Sequence, residues 1–141
     1  MELKDQVCTK QQGKRLEELD VTMKSIFCHC IISTHPTGEA YGYDILPTEF
    51  DLKEINLQNA TFDAPAYTVA ELGEMLPYSI EGREWYMRNC WKGISFGYNG
   101  RNAGLPHIEQ DWYPKEKWAE ALADLLIRLL EQKLITPNQQ K

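Results

Sequence analysis

Residues 114–134, PKEKWAEALADLLIRLLEQKL, decide the fold class, because no other stretch is as long or as regular. At about 100° per residue, Trp118, Ala121, Leu122, Leu125, Leu126, Leu129 and Leu130 share one broad apolar face, with Glu116, Lys117, Glu120, Asp124, Arg128 and Glu131 opposite. The spacing predicts a helix over Pro114–Leu134 with one face buried. Pro114 suits the first helical position, where its missing N–H is not needed. No Gly follows the last turn, so Thr136-Pro137 and the polar tail from residue 136 are expected to end the helix.

A helix with one apolar face needs a sheet or other helices beneath it. Immediately upstream, REWYMRNCW and ISFGYN read as two strands joined by Lys92-Gly93, whose second position tolerates positive φ. That register sets Trp91 against Ile94, Asn89 against Phe96 and Met87 against Tyr98, and Arg88 and Cys90 against Gly97 and Ser95. Trp91, Met87, Phe96 and Ile94 are then expected beneath the long helix, with Arg88 and Ser95 nearer solvent. Before this hairpin, Thr68 and Glu71 form a capping box, with Tyr67 and Leu72 as a hydrophobic staple, for a short helix Val69–Leu76 that stops at Pro77. Near the start, Thr9 caps a helix over Lys10–Leu19 with Leu16 and Leu19 as a narrow stripe, weakened by Gly13.

SIFCHCIIS (25–33) is apolar in both parities, Ile26, Cys28, Cys30 and Ile32 against Phe27, His29 and Ile31, as in a central strand covered on both faces. A turn at 34–38 leads into AYGYDIL, making a second hairpin, and Pro47–Pro65 reads as a loop with a short strand or helical turn. The expected class is α+β: an antiparallel sheet of four or more strands built from hairpins, carrying an N-terminal, a short central and a long C-terminal helix.

The 141 residues suit one domain with a real hydrophobic core, and 43% hydrophobic with 26% charged residues are ordinary globular values. A net charge of −6 argues against a general nucleic-acid surface, which needs clustered Lys and Arg on phosphates. The N-terminus lacks a signal-peptide core, and the longest nearly apolar run, Ala121–Leu130, is broken by Asp124 and Arg128, so a cytoplasmic location without membrane contact is expected. Reduced thiols follow for Cys8, Cys28, Cys30 and Cys90.

Two local patterns, V-C-x5-K-R-L-x-E-L-x-V at Val7–Val21 and T-V-A-E-L-G-E-M-L-P at Thr68–Pro77, resemble a group of small hypothetical proteins from Bacteroides-type genomes and their phages. The resemblance implies a phage or mobile-element context and brings no activity or catalytic residues with it. It leaves Pro36–Phe62 and Asn99–Trp112 without a counterpart.

Site chemistry has to come from the residues. Cys28-His29-Cys30 with His35 offers zinc-ligand types, but alternation puts His29 on the face away from the two thiols, so core packing is the better reading. His107, Glu109 and Asp111 share a face if their segment is extended and are weak metal candidates, set against a plain polar loop. Residues 10–30 imitate a helix-turn-helix, which makes a DNA-binding regulator the alternative function, and a continuous basic patch on Lys10, Lys14, Arg15 and Lys24 would favour it. A metal-dependent enzyme at 107–111 is the second alternative. With no nucleophile signature and no phosphate-binding loop, neither catalysis nor a cofactor is expected.

The leading expectation is a non-enzymatic interaction or accessory protein with a protein partner. Trp112-Tyr113, beside Arg101 and Asn102, forms an aromatic and charged loop suited to contact. A second stripe of Ala123, Ile127 and Leu134 on the polar side of the long helix is expected to be covered either by the chain itself, for instance Leu52–Leu57, or by a second copy in a homodimer.

Overall fold

The computed structural model describes residues 2–33, 41–49 and 59–137. Among them are helices α1 (Leu3–Gln6), α2 (Lys10–Glu18), α3 (Val69–Met75) and α4 (Trp118–Glu131). Strands β1 (Phe27–Ser33), β2 (Tyr41–Pro47) and β3 (Asn59–Pro65) form an antiparallel sheet in the order β2-β1-β3. Strands β4 (Ser79–Ile80), β5 (Arg83–Cys90), β6 (Gly93–Asn99) and β7 (Ile108–Glu109) form a second one in the order β4-β5-β6-β7. The class is α+β, with the strands divided between two sheets.

The long helix is shorter than its apolar pattern. Tyr113 exchanges two backbone hydrogen bonds with Ile94, both 2.8 Å, which holds the chain extended up to Pro114, and the residue before a proline disfavours the helical region in any case. Pro114–Lys117 therefore forms a turn, closed by the Lys117 N–H on the Pro114 carbonyl at 2.9 Å, and the helix starts at Trp118. Its far end closes without glycine. The Leu134 N–H donates to the Leu129 carbonyl at 3.0 Å and the Lys133 N–H to the Leu130 carbonyl at 3.1 Å, with Lys133 left-handed at φ 57°. This is a Schellman motif. Helix α2 ends the same way, with Asp20 at φ 68° and the Val21 N–H on the Leu16 carbonyl at 3.0 Å.

Helices α2 and α3 are capped as their sequences indicate. Thr9 and Gln12 make a reciprocal capping box, as do Thr68 and Glu71, and the staple residues Tyr67 and Leu72 are buried. Helix α4 packs on β6 from one side and meets α1, α2 and α3 elsewhere, while α2 in turn lies on β3. The contact between α2 and β3 runs through Gly13, where a Cβ would stand 2.1 Å from the Pro65 carbonyl oxygen and 3.4 Å from the Ala64 Cβ. The residue that weakens the helix in isolation is the one that lets it approach the sheet.

Residues 59–65, read as part of a loop, are a full strand. Asn-Ala-Thr-Phe-Asp-Ala-Pro carries too little apolar alternation to announce itself, and its order comes from pairing with β1, with a bulge at Asp63. In β1, Cys28, Cys30 and Ile32 are buried and Phe27, His29 and Ile31 half-buried, whereas Ile26 lies before the strand and is exposed. The turn at 34–38, His35 and Leu52–Leu57 lie outside the described residues. The second stripe of α4 is covered by the chain: Ala123 is buried, and Ile127 and Leu134 pack half-buried against the main core.

The β5–β6 turn lies one residue earlier than expected, so each β5 residue pairs two positions from its expected partner on β6 and both strands keep their faces. Cys90 pairs with Gly93, Asn89 with Ile94, Arg88 with Ser95 and Met87 with Phe96, so the two-residue turn is Trp91-Lys92. Gly93 does take positive φ, at 129°, but as the first residue of β6, where a Cβ would stand 2.0 Å from the Tyr113 carbonyl oxygen. Trp91 falls in the turn and is exposed; Met87, though paired with Phe96, is exposed too and Ser95 is buried, both against expectation, while Ile94 and Phe96 stay in the core as expected. Trp85 takes the inner place, stacked on Phe96 at 5.4 Å between ring centroids, and Phe96 meets Trp118 edge-on at 5.7 Å.

Candidate interaction surface

On the face of the second sheet away from this aromatic core, Tyr86 stands opposite Gly97 and Arg88 opposite Ser95. A Cβ on Gly97 would come within 2.8 Å of the Tyr86 hydroxyl and 2.2 Å of the Ile108 carbonyl oxygen, so the tyrosine ring lies over the space the glycine leaves. The Arg88 Nη2 donates to the Ser95 hydroxyl at 3.0 Å and to the Gln110 carbonyl at 3.3 Å. Its guanidinium lies 4.6 Å from the Trp112 ring centroid and 5.7 Å from that of Tyr86. Beside it, the Lys92 ammonium stands 5.9 Å from Trp112 and 5.7 Å from Trp91. Two cations are thus held against aromatic faces, the geometry in which a ring quadrupole attracts positive charge. Trp91, at the turn, is 87% exposed, and Met87 is 47% exposed.

Two buried polar atoms in this cluster, the Tyr86 hydroxyl and Arg88 Nε, have no hydrogen-bond partner among the described residues. Burial holds the Tyr86 hydroxyl above its ordinary pKa, opposed by Arg88 and reinforced by Glu109.

Of the residues singled out from the sequence, Trp112 belongs to this surface, half-buried beneath Arg88. Tyr113 does not. Its main chain is bonded to Ile94 and its hydroxyl donates to Asp124, which also accepts from Gln12 Nε2 at 2.6 Å. Burial and the Asp124 carboxylate both raise the Tyr113 pKa, so it stays a protonated donor. Arg101 and Asn102 are exposed in a 3-10 turn past the far end of β6, roughly 16 Å along the strand from the Trp112 side. Ile127 packs against the core. His107 accepts the Gly100 N–H at Nδ1, 2.9 Å away, Glu109 lies in β7 and Asp111 is exposed. Among the described residues no group of three His, Cys, Asp or Glu is arranged to hold a metal ion. Cys28 and Cys30 share a face with their sulfurs 3.0 Å apart, whereas His29, on the other face, reaches the Cys8 carbonyl at 2.7 Å.

The members that sequence reasoning did not connect with this surface are Tyr86, Arg88, Lys92 and Trp91: Arg88 was expected on the outer face but not against Trp112, and Trp91 was expected opposite Ile94 rather than in the turn. The available signal was Gly97: an aromatic side chain commonly covers a strand glycine, which would have placed Tyr86 opposite it.

The helix-turn-helix mimic has no second helix. Residues 21–26 carry no helix and β1 follows directly. Its basic residues are engaged by carboxylates: Lys10 and Lys14 with Asp63, Arg15 with Glu18 and Glu131, and Lys24 with Glu49. No helix among the described residues is long and apolar enough to cross a membrane. Comparison of the chain with protein-family models, with curated proteins and with solved structures finds no match in any of the three.

Proposed function

We propose that the chain is a non-enzymatic interaction protein, an accessory to a phage or mobile element, that engages a protein partner through the Arg88, Trp112, Lys92 and Trp91 surface. The observation that carries this reading is the exposure of Trp91, 5.7 Å from the Lys92 ammonium, beside two cations already stacked on the Trp112 ring. Tryptophan and arginine supply most of the energy at protein interfaces when water is excluded around them. The phage context rests on the two sequence patterns alone.

The thiols support the non-enzymatic part. Burial pushes Cys8 and Cys30 up to about 12, which leaves them protonated and weak as nucleophiles. The test is affinity capture from host extract, comparing wild type with a Trp91→Ala/Trp112→Ala variant whose fold is checked by circular dichroism. A protein retained by wild type and lost with the variant supports the reading. An identical set of captured proteins, or none, overturns it.

A further inference from the structure

The two thiols of β1 carry an inference independent of the interaction surface. Cys28 and Cys30 leave the same face of the strand, and their sulfurs stand 3.0 Å apart. Both are free and buried. Two residues of extended strand span about 6.6 Å, near the upper limit of the Cα separations that a disulfide bridges. Here the ladder departs from regularity, because Asp63 of β3 is an extra residue opposite the step from His29 to Cys30. Such a bulge increases the local twist, and a strongly twisted strand rises less per residue. The gap that remains to a sulfur–sulfur bond is about 1 Å. The other thiols are engaged elsewhere: Cys8 donates to the Pro65 carbonyl at 3.9 Å, and Cys90 accepts the Lys92 N–H at 3.4 Å. His29 lies on the opposite face and no third ligand joins the pair among the described residues, so a zinc ion finds no tetrahedral site here.

We propose that Cys28 and Cys30 form an oxidation site that closes to an intrachain disulfide when the protein meets hydrogen peroxide. One sulfur, as thiolate, attacks a peroxide oxygen and the O–O bond breaks, leaving a sulfenic acid and a hydroxide that takes up the thiol's proton as water. The second sulfur then displaces the sulfenic hydroxyl, which leaves with the second thiol's proton as another water. Each sulfur gives up one electron and the peroxide takes both. Burial and the neighbouring Cys28 push Cys30 up to about 12, so thiolate is scarce and the first step is slow. The second step is fast, because the displacing sulfur is already in contact with the one attacked. Closure therefore outruns further oxidation to the sulfinic acid.

The test uses the full chain under native conditions. Hydrogen peroxide is added and quenched with catalase, free thiols are alkylated after unfolding, and tryptic peptide 25–53, which holds Cys28 and Cys30 and neither of the other cysteines, is weighed. The expected product has lost two hydrogen atoms, carries no alkyl group and becomes fully alkylatable again after treatment with dithiothreitol. In Cys28→Ala and in Cys30→Ala the disulfide product should be lost entirely, and the remaining thiol, once oxidised, should persist as a sulfenic acid that dimedone traps. If neither variant folds, the wild-type peptide decides alone. Both thiols still alkylatable after the half-buried Cys90 has been oxidised overturns the proposal. So does a peptide that gains oxygen on either sulfur instead of losing hydrogen, or a bond from Cys28 or Cys30 to Cys8, to Cys90 or to a second chain.

Discussion

Replacing Gly13 by Ala separates two opposing effects whose sizes follow from the structure. In an exposed helix the change stabilises by roughly 0.5–1 kcal/mol, because glycine loses more backbone freedom on folding. Here the added methyl would sit 2.1 Å from the Pro65 carbonyl oxygen, which is backbone and cannot swing aside. Restoring an ordinary carbon–oxygen contact of about 3.3 Å needs α2 and β3 to part by roughly 1 Å. That shift strains the Gln12 side-chain bonds to the Glu120 carbonyl (2.9 Å) and to Asp124 (2.6 Å). Overpacking of this kind costs about 1–3 kcal/mol, so the net expectation is a loss of about 1–2 kcal/mol, or roughly 3–8 °C in Tm. Urea unfolding followed by tryptophan fluorescence should show a lower midpoint with an unchanged m-value. A gain in stability would mean that α2 does not lie on β3 through this residue.

Lys133→Gly should stabilise by roughly 0.5–1 kcal/mol, since Lys133 holds the left-handed position of the α4 Schellman motif and only glycine takes it without steric strain; thermal unfolding checks the sign. Burial holds the His29 pKa below its usual value of about 6.5. The unfolded chain therefore takes up the proton first, and stability should fall as pH drops from about 7 to about 5. Asp5, held low by its bond to Lys117, and Glu49, held low by Lys24, contribute only below that window. Urea midpoints measured across the range should lose this slope in His29→Gln.

How much of this was legible in the sequence depends on where each element's order originates. Helix α3 was readable to within a residue because its capping box and staple are local. The apolar face of α4 was readable from its period, but its start was not, since the Tyr113–Ile94 bridge that delays it joins residues far apart in the chain. Strand β3 left little trace because its residues, Phe62 apart, are mostly polar or small and take their order from β1. At the candidate site Trp112 was found from composition and Arg88 was read on the outer face, whereas Trp91 was misplaced by the position of the turn. That register depended on whether Gly93 lay inside the turn or just after it, and its contact with Tyr113 decided the matter.

The most direct measurement is site-specific photo-crosslinking in host extract, with a benzophenone-bearing phenylalanine analogue at position 91 and, as control, at exposed position 101 beyond the other end of β6. A partner adduct formed from position 91 and absent from position 101 is the expected result. Adducts from both positions alike, or from 101 alone, would contradict the assignment of the Trp91, Arg88 and Trp112 face as the surface through which this protein works.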